Sequence, residues 1–335
     1  MGRIDNLTHQ FWREHPECYA ELFNVFFFQK RKVRIKKLTE LDTKVTYAGR
    51  GHNAYRLRDN ARGLLSMTDG KAVYAILAVE DSWYVDYGAA VHCAYRDALQ
   101  LLAQAEELLS ERKLEKDELL SGFPKHAKLM PVYGICVYWQ KKRWDGTLSL
   151  LDLYNDKDAR IYGNRLLNYQ VTLVAPAALE DETICQLQTA LREIFLYIKH
   201  SNRMEDLRRI VRSDLYGYKN LDPSIAMFIN QISGSRFKLK NYVTSTGGIN
   251  MCKAVDDMRQ QTKEYRAKNA ELRRDIRELS RSNKELNRSF KELDRNNKVL
   301  NRNNEELERE KKALVSLLES KGMSQSEINA YLMAK

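Results

Sequence analysis

Long apolar runs are missing from this chain. None approaches the roughly 20 residues that carry a helix across a bilayer, and the longest, Leu22 to Phe28, is interrupted by Asn24. That excludes a membrane-spanning helix, and the first residues lack the apolar core of a signal peptide. Cysteine is sparse: Cys18, Cys93, Cys136, Cys185 and Cys252 are scattered, with no C-x-x-C pair. Four of them sit in apolar surroundings and read as reduced core thiols, which predicts a cytoplasmic protein. The six histidines are scattered too, which argues against a zinc site. Proline and glycine are absent from the interior of residues 255–318, so nothing there breaks a helix.

What that stretch does have is a heptad. Leucine recurs every seven residues at Leu272, Leu279, Leu286, Leu293, Leu300, Leu307 and Leu314, with Met258 and Tyr265 in the same phase. With the leucines at d, the a positions include Ile276, Phe290 and Leu318, and asparagine at 269, 283, 297 and 304. A strict seven-residue stripe stays aligned only if helices supercoil, and a buried Asn at a fixes register and favours a parallel pair. The spacing predicts a C-terminal parallel coiled coil, a homodimer, on the order of 90 Å long. A lone solvated helix would need no seven leucines in one phase. A basic zipper is excluded because the residues before the first heptad, Lys253 to Arg259, include Asp256 and Asp257.

The charged fraction is 30% over 335 residues, and the net charge is +11. A positive field favours a polyanionic partner such as DNA. The basic run Lys30 to Lys37 is where phosphates could be met.

The rest of the chain reads as a globule. Residues 5–28 predict a helix with Phe11, Trp12, Tyr19, Leu22, Phe23 and Phe26 on one face. Leu38 to Tyr47 predicts a strand. Two apolar runs, 63–67 and 72–79, flank Thr68-Asp-Gly-Lys and predict a hairpin. Its second strand is apolar on both faces and so central. A helix over 86–113, strands over 130–138 and 169–174, and helices near 180–200, 203–213 and 222–232 follow. The order predicts an α/β fold, a mixed sheet flanked by helices and followed by a helical cap. In residue ranges this gives a core over 1–180, a cap over 181–243 and a linker over 244–250. The coiled coil then covers 251–319, with a short tail over 320–335.

Carboxylates gather at one end of the expected hairpin. Asp59 precedes its first strand, and Glu80 and Asp81 close its second. Antiparallel strands bring the start of one to the end of the other, so Asp59 and Glu80 could converge about 4–6 Å apart on one Mg²⁺. An ion held there activates water and offsets charge on a phosphate.

The order of segments resembles the PD-(D/E)XK nuclease superfamily, in particular the Rpn (YhgA-like) transposase-related nucleases of the Firmicutes-type branch. The matching segments are Glu21-Leu-Phe-Asn, Glu40-Leu-Asp-Thr, Arg58-Asp, Ala78-Val-Glu, Asp97-Ala-Leu-Gln, Leu120-Ser-Gly-Phe, Met130-Pro-Val, Trp144-Asp-Gly, the stretch from Leu191 to His200, and Asn250-Met-Cys-Lys-Ala-Val-Asp-Asp-Met-Arg. The likeness spans roughly residues 5–260 and rests on their order. It implies a restriction-endonuclease-like sheet and a DNA endonuclease dependent on Mg²⁺ or Mn²⁺. It implies Asp59 and Glu80 as metal ligands, Glu21 as a further acid on the first helix, and Asp42 as a family acid without an assigned role. The family's second motif usually reads Glu-x-Gln, whereas here it is Glu80-Asp81-Ser82. Ser82 is too short to touch the attacking water directly, and His92 stands where the family usually has Arg. Two readings stay open. One is a nuclease with rearranged chemistry, with Asp81 or Lys71 contributing. The other is a catalytically degenerate DNA-binding or scaffold dimer on the same fold; outside the likeness stands a third, a structural coiled-coil protein with an unrelated head.

Overall fold

The computed structural model describes residues 3–41, 44–49, 52–57, 60–65, 73–110, 115–213 and 215–333. The chain divides into two compact units, Met1–Arg259 and Gln260–Lys335.

The first unit opens with α1 (Arg3–Glu14) and α2 (Pro16–Leu22), and α2 runs on into a π-helical turn over Phe23–Phe27. The single helix expected over 5–28 is therefore broken at His15 (φ −121°, ψ 66°). Pro16 crowds the residue before it out of the helical region, then starts α2 where its missing N–H costs nothing. Then come β1 (Leu38–Glu40), β2 (Lys44–Gly49), β3 (His52–Leu57), β4 (Asn60–Leu65) and β5 (Val73–Ser82). α3 (Ala89–Ser110), α4 (Lys116–Ser121), β6 (Val132–Tyr138), α5 (Asp156–Tyr162) and the two-residue β7 (Leu173–Val174) follow. Four further helices, α6 (Asp181–Cys185), α7 (Leu191–His200), α8 (Met204–Arg212) and α9 (Pro223–Ile232), precede α10 (Met251–Ser320) and α11 (Gln325–Met333).

Five strands form a mixed sheet in the order β1-β4-β5-β6-β7, and β2 and β3 pair separately. β4 runs antiparallel to β1 and β5, whereas β6 runs parallel to β5 and β7. The expected hairpin is present as β4 and β5; its Asp-Gly turn lies outside the described residues. β5 is central, and its residues 75–80 are all buried. Side chains alternate along a strand, and this sorts the interior into two clusters. Ala75, Leu77 and Val79 join Ile135, Val137 and Trp139 and the residues of α1, α2, α7 and α9 in the main core. On the other face, Cys136 and Tyr138 meet Ala89, Ala90 and Cys93 of α3. Polar groups pin α1 and α2 to the sheet. The Tyr19 hydroxyl donates to the Leu77 carbonyl at 2.9 Å, and buried Arg62 donates to the Trp12 carbonyl at 2.7 Å.

Residues 244–250, expected as a linker, are tied into this unit. The Thr244 N–H donates to the Gly248 carbonyl, and Ile249 exchanges two backbone hydrogen bonds with Leu221. The first turns of α10 are core. Met251, Ala254 and Val255 are fully buried, and Asp256 accepts from Arg208 at 2.7 Å and pairs with Arg212. Burial works against the Asp256 charge, but the hydrogen bonds and charges of Arg212 and Arg208 win and hold its carboxyl below the usual range. The clamp contributes stability above the ordinary aspartate pKa and loses it as pH falls through the depressed value. Arg259 ends the unit in an ion pair with Glu205 at 2.7 Å.

Beyond Gln260, α10 is exposed almost throughout. Among the described residues no helix is long and apolar enough to cross a membrane. All five cysteines are free, and Cys185 is the exposed one. Burial pushes the Cys18 and Cys93 thiols up to about 12, so they stay protonated and unreactive.

Candidate functional site

β5 ends in Glu80-Asp81-Ser82 between an antiparallel neighbour and a parallel one. Consecutive residues there face opposite sides, so Asp81 lies across the sheet from Glu80 and Ser82. Glu80 shares a register position with Cys136 of β6 and faces α3. It is only 6% exposed, and the Arg96 Nη1 lies 3.3 Å from its Oε2. Asp81 points into the main core. The Trp12 indole N–H donates to both of its carboxylate oxygens at 3.1 Å, and the Trp139 indole N–H donates at 2.6 Å. The expectation that Asp81 assists Glu80 is therefore corrected: Asp81 staples α1 and the end of β6 to β5 on the far side of the sheet. The Ser82 hydroxyl donates to the Tyr84 carbonyl at 2.6 Å.

Glu21, on α2, is drawn elsewhere. Its carboxylate accepts the Gln188 N–H at 2.6 Å, the Thr189 N–H at 3.0 Å and the Thr189 hydroxyl at 2.5 Å. An acid is stabilised there because the first N–H groups before α7 lack helical partners. Glu21 and Glu80 line different hollows. Asp59, Asp42 and Lys71 lie outside the described residues. The β4–β5 ladder ends, as described, at Asn60 opposite Val79.

His92 is engaged by Asp86. Its Nδ1 lies 2.7 Å from an oxygen of Asp86, which also accepts the Gly88 N–H at the start of α3. The arginine that meets Glu80 is Arg96, one helical turn further on, and sequence reasoning missed it. The four-residue spacing from His92 was its only signal, since residues i and i+4 share a helix face. Asp97 was also missed. It lines the same hollow as Glu80 and Cys93 and accepts from the Tyr169 hydroxyl at 2.6 Å.

Of the two carboxylates expected to hold an ion, Glu80 is the one within the described residues. Among the described residues no group of three or more His, Cys, Asp or Glu is arranged to hold a metal. The Arg96 guanidinium supplies Glu80 with compensating positive charge. A buried carboxylate left without its cation is costly. Arg96→Ala should therefore lower the free energy of unfolding in urea by about 3 kcal/mol. Arg96→Lys should recover part of it by keeping the charge without the planar fork. Glu80→Gln added to Arg96→Ala should recover most of it, because no stranded charge remains. An Arg96→Ala protein as stable as wild type would show that the pair carries no such weight.

No protein-family model, curated protein or solved structure matches this chain.

Proposed function

We propose that the chain is a self-associating DNA-binding or scaffold protein on a nuclease-type α/β core, whose cutting site is closed by the Glu80–Arg96 pair. The resemblance to the PD-(D/E)XK nucleases and the net charge of +11 support a DNA partner. The observation that carries the loss of cutting is the guanidinium 3.3 Å from a buried Glu80. Glu21 and Asp81 add to it, because each carboxylate is engaged away from Glu80, and the Ser82 hydroxyl is taken by the Tyr84 carbonyl. Self-association rests on the rod. Its d-position leucines are 48–65% exposed in the single chain, and the heptad offers them a second copy as cover.

One observation favours the other reading, a Mg²⁺- or Mn²⁺-dependent endonuclease. The last described rung of the β4–β5 ladder, Asn60 opposite Val79, stands next in sequence to Asp59 and Glu80. The resemblance makes these two acids metal ligands.

Supercoiled plasmid incubated with the full-length chain in Mg²⁺, Mn²⁺ or EDTA decides between them. We expect no nicking under any of the three, and DNA binding that survives EDTA and weakens steeply with salt. Metal-dependent nicking that is lost in Asp59→Ala and Glu80→Ala would overturn this in favour of the endonuclease. Ser82→Gln would then raise the rate by giving the attacking water a partner.

A further inference from the structure

Four cations, Lys30, Arg31, Arg34 and Lys36, rim a groove of about 970 Å³ between α2 and the segment leading into α7. All four are exposed, and among the described residues none has an ion-pair partner. A free loop would spread such charges apart. This one is held.

Asn24 is the staple. Its Oδ1 accepts the N–H groups of Lys32 at 2.8 Å and Val33 at 2.7 Å, and its Nδ2 donates to the Val33 carbonyl at 2.9 Å. Val33 is 2% exposed and plugs the loop into the main core. Lys32 turns away from the groove and lies over the rings of Phe28, at 4.4 Å, and Tyr133. Gln29, at the exit from the π turn, has φ +50°. That left-handed conformation costs a residue with a side chain on the order of 1 kcal/mol and persists only where the surroundings impose it. A strained backbone, a buried plug and three hydrogen bonds thus hold like charges on one rim, where their field favours an entering anion.

The opposite wall carries two carboxylates against the four cations, and both are engaged by other groups. The Glu21 charge is taken up by two backbone N–H groups and the Thr189 hydroxyl, and Glu17 lies 3.2 Å from His15. The remaining wall is made of Gln186, Gln188 and Thr189, and Ala20 and Val33 contribute apolar floor. The groove is far larger than a single phosphate. It is also concave, so a flat bilayer surface does not reach its walls, whereas an extended phosphodiester chain does.

We infer that this groove grips the sugar–phosphate backbone of a nucleic acid. The inference rests on the DNA-binding reading but not on whether DNA is cut. Fluorescence anisotropy of a labelled duplex with the full-length chain in EDTA, from about 50 to 200 mM salt, tests it. Replacing all four cations (Lys30→Ala, Arg31→Ala, Arg34→Ala, Lys36→Ala) should weaken binding at least tenfold at the lower salt. It should also flatten the slope of log K against log salt by about 3 to 4, at roughly 0.9 for each phosphate no longer neutralised. Asn24→Ala keeps every charge. It should weaken binding about three- to tenfold with the slope retained, because the loop must then be ordered during binding. Unchanged affinity and slope in the four-fold variant would overturn the groove alone, and would move the binding surface elsewhere, for example to Arg274, Arg281, Arg288, Arg295 and Arg302 along α10. Binding to phosphatidylserine vesicles in preference to DNA, abolished in the four-fold variant, would also overturn it. No duplex binding by the unaltered chain at any salt would sink the DNA-binding reading itself.

Discussion

A chain ending at Gly248 is expected to lose its cooperative unfolding transition, and one ending at Thr262 to keep it. The heptad pattern alone places the division at the glycines, since Thr244-Ser-Thr-Gly-Gly looks like a tether. The packing places it later. Ile249, Met251 and Val255 are at most 4% exposed and belong to the main core. Burying each contributes roughly 1.5–3 kcal/mol. The Cys252 thiol donates to the Val211 carbonyl at 2.7 Å, and Asp256 and Arg259 tie the same turns to α8 through Arg208 and Glu205. Removing residues 249–259 also strips the backbone partners of Leu221. The sum is comparable to the whole stability of a domain, about 5–15 kcal/mol. Urea unfolding followed by tryptophan fluorescence reads the difference directly, because Trp12 and Trp139 lie in the same core. A cooperative transition of wild-type midpoint in the chain ending at Gly248 would show that α10 contributes nothing to the globule.

The elements that were legible in the sequence are those whose signal is local. The apolar run 72–79 around an Asp-Gly turn gave the central strand and its antiparallel partner, because a strand buried on both faces has no polar alternation to obscure it. The absence of Pro and Gly between residues 255 and 318 gave the long helix. The break at His15 was also readable, since Pro16 restricts the residue before it. The interruption between α6 and α7 was not. It is fixed by Glu21, which lies 167 residues from Gln188 in the chain and takes the N–H groups that a continuous helix would have used internally. The site failed in the same way. Glu80 was legible as an acid at a strand end, but its partner Arg96 comes from the crossover helix, and only the fold brings them together. Asp81 looked like a neighbour of Glu80 in sequence and is its opposite in space, because two indoles from separate elements claim it. Strand 169–174 shrank to Leu173–Val174, while Gln170 bridges to Ser149 instead of extending the ladder.

The rod should make the full-length chain a dimer, and Leu286→Glu with Leu293→Glu should make it a monomer at micromolar concentration. In the single chain these leucines are 63% and 61% exposed, which is a large apolar stripe to leave in water over seven heptads. Losing four leucines per dimer at about 1.5 kcal/mol each raises Kd by about 10⁴, before the repulsion of four buried carboxylates is added. The flanking positions say how the copies align. At the e and g sites most residues between 280 and 303 are Ser or Asn, so interhelical ion pairs select little. Register then falls to the a-position asparagines 269, 283, 297 and 304, which satisfy one another only when a faces a, the parallel in-register arrangement. Asn283→Cys in a Cys185→Ser background should therefore oxidise rapidly to a covalent dimer, because Cys185 is the exposed native thiol. Asn283→Leu with Asn297→Leu should raise the melting temperature of the dimer while admitting other strand numbers, because the polar pair costs stability and confers specificity. Sedimentation equilibrium reads the strand number in each case. A monomeric full-length chain at micromolar concentration would refute the seam itself. A dimer in which Asn283→Cys fails to cross-link would refute only the parallel register.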